Sequence, residues 1–164
     1  MADARARGSF DVRLASIADA GVLARALWDF NTEFDDPVDD VDVLEARLRR
    51  LLAGCGFWAL VATLVAGEEP AGFATLAMRE SAMSDGTVAY LEDLYVAPQL
   101  RGRGIGSALL ARLFDEVDRR GIAMVEVGVD EPDVDALRFY ERHGFVHRDP
   151  HTGDRAYYLY REMG

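Results

Sequence analysis

The chain has 164 residues, half of them hydrophobic, and 18 basic against 29 acidic residues give it a formal net charge of −11. That length and hydrophobic share support a buried core and exclude global disorder, and the negative charge argues against nucleic acid as a partner, because phosphate backbones demand basic surface. Every basic residue is arginine, so the chain lacks the lysine that Walker P-loops, pyridoxal phosphate enzymes and protein kinases need.

The longest near-apolar run, Phe57 to Gly67, is too short to span a bilayer, and the start MADARARG has no apolar signal-peptide core. A single cysteine, Cys55, rules out an internal disulfide framework and reads as structural. These features predict a cytoplasmic protein with no membrane partner.

Residues 1–8 read as a disordered tail and 9–164 as a single domain. Ser9 to Leu14 alternates in polarity and predicts a first strand. Ser16, with Asp19 three residues on, predicts the start of a helix that runs to about Phe34 on Leu23, Leu27 and Phe30. The aspartate-rich segment FDDPVDDVD follows, Phe34 to Asp42, and then a helix over Val43 to Leu52. Phe57 to Val65 and Ala71 to Met78 predict a hairpin around Gly67-Glu68-Glu69-Pro70, and Thr87 to Val96 a fourth strand.

Ile105 to Arg120 has helical periodicity in Leu109, Leu113 and Val117, with Gly121 as its stop. Ile122 to Val129 predicts a fifth strand and Asp133 to His143 a helix ending at Gly144. A sixth strand is expected from Phe145-Val146 and a last one over Ala156 to Arg161. The order β-α-α-β-β-β-α-β-α-β-β describes an α/β protein with a mixed sheet and helices on both faces.

The sharpest motif is LEDLYVAPQLRGRGIGSALL, Leu91 to Leu110. A strand stops at Pro98, a turn alternates Arg101, Gly102, Arg103, Gly104, Ile105 and Gly106, and a helix begins at once. Glycines let a ligand approach the backbone, the helix start offers N–H groups and a positive dipole end, and arginines add forked donors. The combination predicts a site for a phosphorylated cofactor. It is not a Rossmann fingerprint, since the third glycine of G-x-G-x-x-G falls on Ser107 or Leu109 in the two available registers.

This stretch resembles the acetyl-CoA motif of the GNAT superfamily of N-acetyltransferases. VDEPDVDALRFYERHGF, Val129 to Phe145, is similar to the family's downstream N-x-x-A-x-x-x-Y-x-x-x-G-F motif, with Ala136, Tyr140, Gly144 and Phe145 in place and Asp133 where the asparagine stands. The resemblance implies a GNAT-like fold, with a six- to seven-stranded mixed sheet, about four helices, and a bulge in the fourth strand. It implies that the backbone of Leu94, Tyr95 and Val96 binds the pantetheine arm of acetyl-CoA. The turn of Arg101, Gly102, Arg103, Gly104, Ile105, Gly106 and Ser107 would bind the pyrophosphate, with side-chain contacts from Arg101 and Arg103. Asp133 is retained as a cofactor contact, without the amide that the family has there.

The resemblance also implies acetyl transfer to an amine in one ternary complex, with Tyr140 as general acid toward the CoA sulfur. Glu92 is the candidate base through water, and Asp93, expected on the opposite face of the strand, is its alternative. The acceptor is expected near Glu33, Asp35, Asp36, the rest of the aspartate segment and Asp93, which suits a small cationic amine of aminoglycoside or polyamine type. A non-catalytic acyl-CoA-binding module and a protein or peptide acetyltransferase remain the alternatives. No metal is expected, because Gly144 and Pro150 interrupt the spacing of His143, His147 and His151. Dimers are common in the superfamily, with the last strands as the candidate contact.

Overall fold

In the computed structural model, which describes residues 10–65, 70–82, 86–149, 151–155, 157, 159 and 161, the first alternating segment forms β1, Phe10–Leu14. The expected tail lies outside the described residues, as does most of the hairpin turn before Pro70. Half-buried Phe10, Val12 and Leu14 alternate with exposed Asp11 and Arg13, and β1 pairs antiparallel with β2, Phe57–Leu64. The chain forms two compact units that divide between Glu126 and Val127. Among the described residues no helix is long and apolar enough to cross a membrane.

The first helix is entered through a single 3-10 turn, Ile17–Asp19. The Asp19 carboxylate takes the Ser16 amide at 2.7 Å and the fork of Arg13 at 2.7 and 2.9 Å. The Arg13 guanidinium and the Ser16 donors hold the Asp19 carboxyl down at about 2. α1 then runs Ala20–Glu33 and α2 Val41–Leu52, two residues earlier than the periodicity alone predicts. The two helices approach closely at Gly21, where an added Cβ would lie 3.1 Å from Glu45 Oε2.

The sheet order is β1-β2-β3-β4-β5, with β3 spanning Pro70–Glu80, β4 Thr87–Val96 and β5 Ile122–Val127. The pairs from β1 through β4 are antiparallel neighbours. β5 is reached through α3, Ile105–Arg120, the crossover that a parallel neighbour requires. The result is a mixed five-stranded sheet.

One face of this sheet packs under α1 and α2: Leu23, Leu44 and Leu48 meet Phe57, Val61, Phe73 and Tyr95 in one buried cluster. Burying each such side chain contributes about 1.5–3 kcal/mol relative to leaving it in water. α3 covers the other face. Gly72 marks that side, since a Cβ there would lie 3.4 Å from Leu109 Cδ1, while its neighbour Phe73 joins the opposite cluster.

The expected stripe of α3 needs one correction. Glu116, only 1% exposed, takes the buried position beside Leu109 and Leu113, while Val117 is half-buried. Its carboxylate accepts from Arg112 at 3.2 Å, from Arg120 at 2.6 Å and from Arg119, so three guanidiniums from its own helix offset the desolvation of one carboxylate. Arg120 lies 4.9 Å over the Trp58 ring as well.

In the second unit, α4 spans Val134–Arg142. The sixth strand expected from Phe145-Val146 is absent: these residues have no regular structure, and Val146 is 78% exposed, so no face is available to bury. The chain instead makes a tight turn in which the Asp149 carboxylate accepts the amides of His151 and Thr152 at 2.8 Å, closed by a single bridge between Arg148 and Arg155. The last expected strand falls partly outside the described residues, and Tyr157, Leu159 and Arg161 carry no strand. The described sheet thus has five strands rather than six or seven.

Candidate active site

β4 ends at Val96, where Ala97 N–H still donates to Ala71 O at 3.0 Å. A 3-10 turn over Pro98–Leu100 then leads to extended Arg101. Gly102 and Gly104 both take left-handed backbone, at φ 73° and 88°, and Gly104 is the residue from which α3 springs. A Cβ on either would meet nothing within 4 Å. The demand for glycine here is therefore conformational, and the space in front of the turn is open. The amides of Ile105 and Gly106 fall in the first turn of α3, where a helix offers its N–H groups no internal acceptor. Anions suit such a place.

The two arginines of the turn behave differently. Arg101 donates Nε–H to Val96 O at 2.9 Å, forks onto Glu33 at 2.8 and 2.9 Å, and lies 5.6 Å over the Tyr95 ring. It ties the end of α1 to the end of β4. Glu33, expected near the acceptor, is the partner in this tie. Burial and the Glu33 carboxylate push the Tyr95 phenol up, and the Tyr95 ring itself sits in the core against Phe30 and Phe73. Arg103 makes no ion pair among the described residues and is exposed, which leaves its guanidinium available to an anion.

Upstream, Leu94, Tyr95 and Val96 pair with Ala74, Phe73 and Gly72 of β3. The ladder then slips: Asp93 opposes Thr75, but Leu91 opposes Leu76, so β4 spends one extra residue, Glu92, in a bulge. This is the bulge that the family resemblance implied. It overturns the expected alternation. The Thr75 hydroxyl donates to the Asp93 carboxylate, which puts Asp93 on the α1/α2 face. Glu92 lines a cleft with Phe57 and Ala77 on that same face. Two adjacent carboxylates thus share one side of the sheet.

Both are pushed above the usual carboxylate range. For Asp93 the cause is burial, partly relieved by the Thr75 hydroxyl. For Glu92 it is partial desolvation in the cleft, with the charge of Asp93 adding to it. A carboxylate raised in this way is a better proton acceptor near neutral pH than an ordinary one.

The aspartate segment is exposed from Phe34 to Pro37, and Asp35 holds a left-handed φ of 55°. Asp39 is paired with Arg47 at 2.7 Å, while Asp35 and Asp36 carry no ion pair among the described residues. In the second unit, Asp133 Oδ1 accepts the Ala136 amide at 2.9 Å. Its carboxylate thus caps α4, a structural task for a residue expected at the cofactor. Tyr140, 8% exposed, packs edge-on against Phe139 and Phe145, each with ring centroids 5.3 Å away. Among the described residues no group of three or more His, Cys, Asp or Glu is placed to hold a metal ion.

Two residues of this region carry no motif. Thr75 is a polar residue inside the buried run AGFATLAM, and a buried hydroxyl demands a partner, so the sequence held a signal for it. Arg50, which borders the Glu92 cleft, offered none.

The profile of the acetyltransferase (GNAT) family matches residues 23–145. An uncharacterised N-acetyltransferase of Methanocaldococcus jannaschii is 37% identical over 62 residues, 38% of this chain, and the match spans only 27% of that protein. A solved structure from Arthrobacter sp. FB24, assigned as an acetyltransferase, superposes with a TM-score of 0.85 at 44% identity, over 93% of this chain and 96% of the other. An aminoglycoside acetyltransferase from an uncultured soil metagenomic sample shares the fold, with a TM-score of 0.77 at 22% identity over 94% and 97% of the two chains. With the glycine turn, the bulged strand and the helix-borne tyrosine in one chain, this protein belongs to the acetyltransferase (GNAT) family.

Proposed function

We propose that this protein transfers the acetyl group of acetyl-CoA to a primary amine of a small molecule, by direct attack in a ternary complex. The observation that carries the reading is the layout of β4, with a glycine turn and the start of α3 after one end and the adjacent carboxylates of Glu92 and Asp93 at its bulge. The turn fits a diphosphate: left-handed Gly102 and Gly104 open the backbone, Arg103 is unpaired among the described residues, and α3 begins at Ile105. Backbone groups of Leu94, Tyr95 and Val96 that do not face β3 would hold the pantetheine arm.

Bound acetyl-CoA supplies an activated acyl carbon. Glu92, directly or through one water, takes the proton that the attacking amine must lose, and Asp93 keeps the Glu92 carboxyl basic. A β4 amide donates to the carbonyl oxygen as charge develops on it. Tyr140 gives its phenolic proton to the sulfur as the carbon–sulfur bond breaks. The amine nitrogen thus gains the acetyl group, and CoA leaves as the thiol.

Thiol release from acetyl-CoA across amino acids, polyamines, aminoglycosides and peptide N-termini tests this reading. Release with at least one amine supports it. Acetyl-CoA binding without release for any amine would instead identify a non-catalytic module. A polycationic acceptor is the second reading, favoured by exposed Asp35 and Asp36.

A further inference from the structure

The cleft at the bulge of β4 carries charge of both signs. Arg50 and Leu51 from the last turn of α2, Phe57 from β2, Ala77 from β3 and Glu92 from β4 line it around about 270 Å³. α2 carries three arginines close together, and they differ. Arg47 pairs with Asp39 at 2.7 Å and Arg49 with Glu45 at 2.6 Å. Arg50 makes no ion pair or hydrogen bond among the described residues, and neither does Glu92. The two border one cleft, carry opposite charge, and stand too far apart to pair with each other.

A position in the last turn of a helix accounts for a basic residue at 50. It does not account for the contrast with its paired neighbours, or for its side chain bordering the cleft that holds the candidate base. A guanidinium there repels a second positive charge on the acceptor and offers a fork that matches a carboxylate. Leu51, Phe57 and Ala77 supply apolar wall between the two charges.

We infer that the acceptor is a small zwitterion, an amine with an anionic group a few bonds away, held at the anion by Arg50 and presented by its nitrogen to Glu92. The inference rests on the acetyltransferase reading and narrows its substrate class. It separates the cleft from the exposed aspartates of residues 35–42, which would favour a polycation. Arg50 is a specificity residue: it touches the substrate at a distance from the bond being made, so its loss affects acceptor KM rather than acetyl-CoA binding.

The test compares matched acceptors with the full chain: an amino acid, its carboxamide, its decarboxylated amine and a linear polyamine. The amino acid should give the highest kcat/KM for thiol release, with the uncharged and decarboxylated analogues lower by about tenfold, the size of one lost charge-assisted contact. Arg50→Ala should erase that preference by raising KM for the amino acid about tenfold, without change for the decarboxylated amine or for acetyl-CoA. Arg50→Lys should recover part of it. Equal or better turnover of the decarboxylated amine or the polyamine, or an Arg50→Ala variant that keeps the preference, overturns the inference while leaving the acetyltransferase reading intact. If no acceptor releases thiol, that reading fails. Calorimetry of the amino acid with CoA present then decides the site itself: binding that Arg50→Ala abolishes supports a zwitterion cleft, and no binding overturns it.

Discussion

The C-terminal end of β4 and the bulge at its middle are built from different material. At its C-terminal end the candidate site is main chain: left-handed Gly102 and Gly104, the first amides of α3, and the backbone of Leu94, Tyr95 and Val96. Side chains there mostly hold the frame, as Arg101 does on Glu33 and Val96 O. At the bulge the site is side chain: Glu92, Asp93, and Arg50 across the cleft, with Thr75 beneath. A part of the cofactor common to every reaction suits a backbone cradle. A proton to be moved and an acceptor to be chosen demand groups with a pKa, a charge and a direction. Changes at the first end should therefore alter fold and cofactor binding, and changes at the second should alter kcat, pH dependence and acceptor choice.

The largest effect is expected at the main-chain end. A Cβ on Gly72 would stand 2.5 Å from Tyr95 O, a contact that only movement of the backbone can relieve. Gly72→Ala should cost about 3 kcal/mol, the upper part of the range for overpacking, and should weaken acetyl-CoA binding because Tyr95 and Val96 shift with the ladder. A thermal melt and a calorimetric titration check both, and a variant with unchanged Tm would show that the strand end is not held as described.

Next is Tyr140→Phe, which keeps the ring between Phe139 and Phe145 and removes only the hydroxyl. Its kcat should fall at least about tenfold, the low end for loss of a general acid, with KM for acetyl-CoA retained. Steady-state kinetics decide it, and an unchanged kcat removes Tyr140 from the mechanism.

The arginines of the turn give a smaller and more diagnostic contrast. Arg103→Ala should raise KM for acetyl-CoA about fivefold, as for the loss of one charge-assisted contact, and leave Tm unchanged. Arg101→Ala should lower Tm as well, because it unpairs Glu33. If the two variants behave alike, the division between a framing and a phosphate-facing arginine is wrong.

The smallest expected effect is a pH-dependent one on stability. Asp93 binds its proton more tightly folded than unfolded, since burial raises its pKa from the ordinary 3.8. Below the ordinary carboxylate range both states are protonated and nothing is lost. As pH rises through the raised folded value, the buried group must ionise and stability falls. Asp93→Asn cannot ionise, and its carbonyl still accepts from Thr75. Its Tm should exceed that of the parent at neutral pH, with the gap closing on acidification. A gap that widens toward low pH would mean that the Asp93 charge is stabilised in the fold. Asp19 has the opposite sign: its pKa is depressed to about 2, so its contribution is present above the ordinary range and lost as pH falls toward 2.

The same division explains what could be read from the residues. The glycine turn, α3 over Ile105–Arg120 and the start of α4 at Asp133 depend on neighbours in sequence, and local rules place them. The bulge does not: strict alternation put Glu92 and Asp93 on opposite faces, and only pairing with Thr75, 18 residues away, sets them on one. The Arg101–Glu33 tie spans 68 positions and leaves no periodic trace. Glu116 entered the buried stripe of α3 because three arginines within four residues cover it, a compensation that a count of apolar positions misses. The missing sixth strand follows from Val146 having nothing to pack against, which a short apolar pair cannot reveal.

If the bulge of β4 carries the proton chemistry, the pH dependence of kcat/KM reports it in the parent chain and in Glu92→Gln. The parent should lose activity on acidification through a pKa above the ordinary carboxylate range, because desolvation and Asp93 raise Glu92. Glu92→Gln should be slower throughout and lack that acidic limb. A variant that keeps both the rate and the limb would contradict the claim and leave β4 with the cofactor alone.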